Sequence, residues 1–183
     1  DLDAAFRLVF NGGWTHSSNG ATPNGTNGYA DTKFNNNLGQ LNSAHLSVYT
    51  KLNLNTGTAM IGANDGNGRH YLGQGNTFAA INSSAEGNYN PSSYAGFHMI
   101  KRENSTETKQ LYNGSVITTS AISSTGKTTI NFYIAARNSN GSALNYNNNQ
   151  YAFTSIGDGL TDTEASNLYT AVQAFQTSLL RQV

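Results

Sequence analysis

Glycoside hydrolysis needs two carboxyl groups held close together, so the ten acidic residues of this 183-residue chain come first. Retaining glycosidases place such a pair about 5 Å apart. Glu103 and Glu107 are four residues apart, but at a turn and a strand start, where their side chains need not converge. Asp158 and Asp162 flank a helix start, where capping is the simple reading. His16, His45, His70 and His98 are dispersed and lack the close spacing of a metal-binding pair. A hard cation is served better. Asp65-Gly66-Asn67 and the region of Asp31 offer the carboxylate, amide and backbone oxygens that calcium takes, against the plainer reading of an Asx turn. No serine sits in a Gly-x-Ser-x-Gly elbow. The absence of cysteine removes disulfides, thiolate catalysis and Zn–Cys sites together. The expectation is therefore no catalytic residue and no cofactor, with calcium at Asp31 or Asp65 as the candidate metal.

What remains is a set of aromatic residues among Asn, Gly, Ser and Thr. Sugar rings have apolar faces that stack on Trp or Tyr, and hydroxyls that suit amide side chains; such sites need few charges and a concave apolar patch. Two regions fit: Trp14, His16, Tyr29 and Asp31 in the first long loop, and Arg137, Asn145 and Tyr146 before the last strand. The bland alternative is that Trp14 anchors its loop to the core and Tyr29 opens a strand.

These residues need a scaffold, and the chain supplies one. Its net charge is zero, 11% of its residues are charged, against about 25% in ordinary domains, and it has ten Tyr, eight Phe and one Trp. That is a folded chain with a polar, uncharged surface. It shows no basic stripe for nucleic acid and no apolar run near the ~20 residues that span a bilayer. One domain over 1–183 is expected, and the start at Asp1 in mid-pattern suggests a piece cut from a longer protein. Short apolar runs read as strands: Ala4–Phe10, Ala44–Leu52, Thr58–Ala63, Arg69–Leu72, Thr77–Ile81, Tyr94–Lys101, Lys127–Arg137 and Tyr151–Ile156. Asn113-Gly114, between Thr108–Tyr112 and Ser115–Ser120, is the strongest hairpin signal. Residues 14–34 and 138–150 read as loops. Thr161 with Glu164 makes a capping-box pattern, and Asp162 adds charge favoured by the helix dipole. Ala165, Leu168, Tyr169, Val172, Phe175 and Leu179 then recur at helical spacing, so a helix is expected over about 161–180, against an edge or one end of a two-sheet sandwich.

Three stretches carry a resemblance. KQLYNGSVITTS (109–120), INFYIAAR (130–137) and YAFTSIGDGLTDTEASNLY (151–169) resemble the hairpin, following strand and closing strand-plus-helix of laminin-G-like and concanavalin A-like jelly rolls. The opening RLVFNGGWTHSSNGATPNGTNGYADT and the closing segment look like a module of tailed-phage virion and tail-appendage proteins. The first likeness covers about the C-terminal half of the chain; the second touches both ends. Together they imply an all-β antiparallel β-sandwich of jelly-roll type with one C-terminal amphipathic helix, on a virion or other extracellular surface. They do not imply an activity, because this fold hosts lectins, glycosidases and structural domains. The Glu-x-Asp-x-Glu strand motif of the glucanases of this fold is absent. The expected function is non-catalytic recognition of a glycan or host-surface receptor, in many copies alongside other virion or appendage proteins, without nucleic acid and without membrane insertion. The competing class is a purely structural domain that makes assembly contacts.

Overall fold

The computed structural model describes residues 7–75 and 79–183. In chain order its strands are β1 (Val9–Asn11), β2 (Trp14–Ser17), β3 (Gly20–Pro23), β4 (Tyr29–Asn35), β5 (Ala44–Thr50), β6 (Ala59–Asp65), β7 (Gly68–Gly73), β8 (Ala79–Ser83), β9 (Gly96–Arg102), β10 (Thr108–Tyr112), β11 (Ser115–Ser120), β12 (Asn131–Ile134), β13 (Arg137–Ser139), β14 (Ser142–Leu144) and β15 (Tyr151–Gly157), followed by helix α1 (Asp162–Ser178). Among the described residues they form two sheets. One has eight strands in the order β1-β4-β12-β6-β13-β14, with β7 on β6 and β8 on β7; the other runs β11-β10-β9-β5-β15-β3-β2. All pairs are antiparallel except β13 on β6. This is the expected jelly-roll sandwich.

Period-two alternation decides which side chains enter the core. Along β5, Leu46 and Val48 point between the sheets and join Ile61, Leu72, Ile81, Ile100 and Phe132 in the main core. The other face of the seven-stranded sheet carries Tyr49, Phe97, Met99 and Leu111, which would stand in water uncovered. Burying each such side chain is worth about 1.5–3 kcal/mol, and α1 supplies the cover with Ala165, Leu168, Tyr169 and Val172. The helix therefore lies across a sheet face, which corrects the expectation of an edge or an end: the apolar residues that need it are on that face.

Its capping box is present, with Thr161 Oγ1 accepting from the Glu164 amide and the Glu164 carboxylate accepting from the Thr161 amide. The buried line turns at the last turn. Gln176 is buried while Phe175 is 48% exposed and Leu179 44% exposed. Steps of three and four from Ala165 through Tyr169 and Val172 lead to 176, and Arg181 folds back to bond the Gln176 side chain at 2.6 Å and the Ala152 carbonyl at 3.2 Å.

Three further corrections concern loops. Residues 14–34 are not a loop: they hold β2, β3 and most of β4. Alternation failed to show them because Thr15, Ser17 and Thr22 lie on an edge hairpin with little to bury. The turn after β3 is organised by Asn24, whose Oδ1 accepts from the amides of Thr26, Asn27 and Gly28 at 3.0–3.1 Å. Lys127–Arg137 is not one strand. The chain breaks at Ala135, which sits at φ 65°, so that β12 and β13 pair with β6 in opposite directions. Residues 138–150 contain the β13–β14 hairpin, turning at Asn140-Gly141. Of the expected strand at 4–10, residues 4–6 lie outside the described residues, as do 77 and 78 of the strand at 77–81.

Candidate functional site

The outer face of the eight-stranded sheet brings the two sequence regions together. On β4, Ala30 faces the core, so Tyr29 and Asp31 face out. On β12, Phe132 and Ile134 face the core, so Asn131 and Tyr133 face out. Register sets Tyr133 opposite Asp31, and the Tyr29 and Tyr133 rings meet at 4.5 Å between centroids. Tyr146 completes the group. It is held by flanking backbone bonds, from the Ala59 amide to the Asn145 carbonyl at 3.0 Å and from the Asn147 amide to the Ala135 carbonyl at 2.8 Å, with Asn145 bent to φ 56°. Burial pushes the Tyr133 phenol up, and the neighbouring Tyr29, Asp31 and Tyr146 add to it. Tyr29 and Tyr146 remain half-buried, leaving aromatic surface for a ligand.

Asp31 is fixed, not free. Its carboxylate accepts from the Lys33 amide at 2.8 Å, the Lys33 ammonium at 3.0 Å and Asn131 Nδ2 at 3.2 Å. Asp65 is engaged likewise by the amides of Asn67, Gly68 and Thr129 and by the Thr129 hydroxyl. Against burial, which would raise it, those bonds hold its carboxyl below the usual range. Four donors at one carboxylate leave little for a cation, and among the described residues no three His, Cys, Asp or Glu converge as a metal site.

Arg137 lies further across the same sheet. Gly62 is the register partner of Tyr133 on one side and Tyr71 on the other, and the Arg137 guanidinium sits 5.2 Å from the Tyr71 ring centroid. Gly62 is required there: it adopts φ 146°, and a Cβ would stand 2.2 Å from Tyr71 Cβ.

Trp14 and His16 are elsewhere, on β2 at the open end between the sheets. Phe10 meets Trp14 edge-on at 5.0 Å and His16 at 4.8 Å, and Trp14 Nε1 donates to the Asn11 carbonyl at 3.0 Å. Trp14 also packs against the main core. With Leu8, Ala30, Tyr151 and Phe153, Phe10 and Trp14 line an apolar cleft of about 190 Å³, which His16 does not reach. Sequence reasoning missed Tyr133. The signal was present in the alternation of Ile130, Phe132 and Ile134 with Asn131 and Tyr133, which a strand buried on both faces obscures.

No protein-family model matches the sequence, and no curated protein matches it. Solved structures do match in shape. The receptor-binding domain of a botulinum neurotoxin C/D mosaic serotype superposes with TM-score 0.60 at 15% identity, over 90% of this chain and 46% of that one. A botulinum neurotoxin DC binding domain, solved in complex with rat synaptotagmin II, gives 0.58 at 14% identity, over 91% and 47%. A structure from type C, a toxin described as dependent upon interaction with two ganglioside molecules, gives 0.58 at 14%, over 91% and 46%. The likeness is one of fold. The chain spans less than half the length of these receptor-binding structures.

Proposed function

We propose that this chain is a non-catalytic binding module that recognises carbohydrate on an extracellular surface, through the outer face of its eight-stranded sheet. The observation that carries the reading is the convergence of Tyr29, Tyr133 and Tyr146 around the fixed Asp31–Asn131 pair. Ring faces take the apolar side of a sugar, while the anchored carboxylate and amide offer oriented polar atoms to its hydroxyls. The non-catalytic part rests on Asp31, whose oxygens already accept hydrogen bonds and are badly placed for acid–base work. The sandwich shared with toxin receptor-binding domains is in keeping with a binding role and a secreted setting. The sequence likeness to phage appendage proteins makes a virion surface, with many weak sites adding avidity, the form of that setting we favour. No helix among the described residues is long and apolar enough to cross a membrane.

The test is a glycan array probed with the domain multimerised on a carrier. The reading requires reproducible binding that is lost in Tyr146→Ala and kept in Trp14→Phe. Silence from a folded domain would refute it. A second reading, assembly contacts alone, draws on edge strand β1, where Val9 and Phe10 are 41% and 43% exposed; unpaired apolar edges are templates for association.

A further inference from the structure

Resting on that reading, we infer that the glycan this face selects is anionic, a sugar bearing a carboxylate or sulfate, and that Arg137 anchors the acidic group. Three observations carry it. The guanidinium is half-buried against the Tyr71 ring, and its Nε is closed off from solvent with no hydrogen-bond partner among the described residues. A half-buried permanent cation is stabilised by a counter-anion at its accessible terminal nitrogens, and a carboxylate or sulfate is the group whose oxygens match those N–H donors.

The second observation is the charge balance of the face. Arg69 is neutralised by Glu86 at 2.7 Å and Lys33 by Asp31 at 3.0 Å. Arg137 is thus the positive charge these pairs leave over on this part of the sheet. Stacking on Tyr71 holds it in one orientation without consuming its charge, so an incoming anion meets a preorganised cation.

The third is placement. Arg137 on β13 pairs with Leu144, two residues before Tyr146, and the Asn147 amide bonds the Ala135 carbonyl at 2.8 Å, so Arg137 and Tyr146 flank the same bend of chain. One ligand of a few sugars reaches from the Tyr29–Tyr146 rings, where its uncharged rings stack, to Arg137, where its acidic group is held.

The experiment compares binding of the folded domain to plain lactose, sialyllactose and sulfated lactose, at low and high salt, by calorimetry and on the array. The inference requires one or both acidic ligands to bind at least tenfold tighter than lactose, with the preference shrinking as salt screens the contact. The two acidic arms show which acid is read. Arg137→Ala should weaken the acidic ligand by about ten- to a hundredfold and leave neutral binding unchanged. Arg137→Lys should restore part, because charge returns without the fork. Equal affinity for neutral and acidic ligands, or an acidic preference that survives Arg137→Ala, overturns the inference and leaves the glycan reading standing. Silence across all sugars on the array overturns both. Each variant is first required to keep the parent's urea midpoint.

Discussion

Lowering the pH from 7 to 5 should cost this protein a large share of its stability, and the amount follows from two buried histidines. His70 is closed inside the sandwich against Phe132. Its Nδ1 lies 3.1 Å from Asn82 Oδ1, and the Asn82 amide nitrogen donates to the carbonyls of Gln40 and Leu41. The Asn82 oxygen must therefore accept, so His70 carries a proton on Nδ1, and its Nε2, enclosed with no partner among the described residues, carries none. His98 is boxed by Tyr89, Tyr94 and Tyr112 and hydrogen-bonds the Tyr89 hydroxyl at 2.5 Å. Burial depresses His70 to about 3 and His98 to about 4, from 6.5. Between those values and 6.5 the unfolded chain binds the protons and the folded one does not. Stability is therefore full above 6.5 and falls as pH drops. Each unit is worth 1.36 kcal/mol, so at pH 5 each histidine costs ~2 kcal/mol and the pair ~4 kcal/mol, against a typical total of about 5–15 kcal/mol. His45, which burial also pushes down, adds to the slope in the same direction, while the depressed carboxylates, Asp65 and Asp162 among them, are lost only below about pH 4. Urea unfolding followed by Trp14 fluorescence at a series of pH values measures the slope, expected at ~2.7 kcal/mol per unit below 6 for two such groups. His98→Phe, which fits the aromatic box, should lower it by ~1.4 kcal/mol per unit. Unfolding free energies that agree within ~0.5 kcal/mol at pH 7 and 5 would refute the reasoning.

Further outcomes follow from geometry already described. Gly62→Ala should destabilise by about 2–4 kcal/mol, through a Cβ forced against Tyr71 and a backbone angle unsuited to alanine, read as a drop in urea midpoint. Thr161→Ala should cost ~1 kcal/mol by removing the helix cap, seen as a lower melting temperature with binding intact. Asn24→Ala strips the acceptor from three amides and should cost about 1–3 kcal/mol, with amide exchange accelerating first at residues 26–28. A chelator should leave the melting temperature unchanged, because the Asp31 and Asp65 oxygens are met by protein donors; a fall on chelation would show a bound cation.

Legibility in the sequence tracked how local the deciding physics was. The β10–β11 hairpin turns at Asn113-Gly114, both at positive φ, and depends on those two residues alone. The capping box is likewise complete within four residues. The alternation of β5 was visible too, with Leu46 and Val48 on one face and His45, Ser47 and Tyr49 on the other. What covers the second face was not, since Tyr49 meets a helix more than a hundred residues away. The β2–β3 hairpin escaped because an edge strand made of Thr, Ser and His has no apolar rhythm. The candidate site was half visible. Tyr29, Asp31 and Tyr146 stood out as residues, but their meeting point, Tyr133, lies in a strand whose neighbours are all core. Trp14 and His16 share the aromatic character of the site and not its location, and only the pairing of β2 with β3 separates them.

The helix laid across one sheet gives the molecule a front and a back. Its back is a helix held by Lys101 and Lys109 at Asp162 and by Arg181 at Gln176, and its front is the side of the eight-stranded sheet where the half-buried Tyr29 and Tyr146 lie. Copies gathered on a carrier or particle by their helical sides would all present the same sheet outward. Valency would then be set by how densely the backs pack, with no change to the recognition surface, and the two sides could drift independently in sequence.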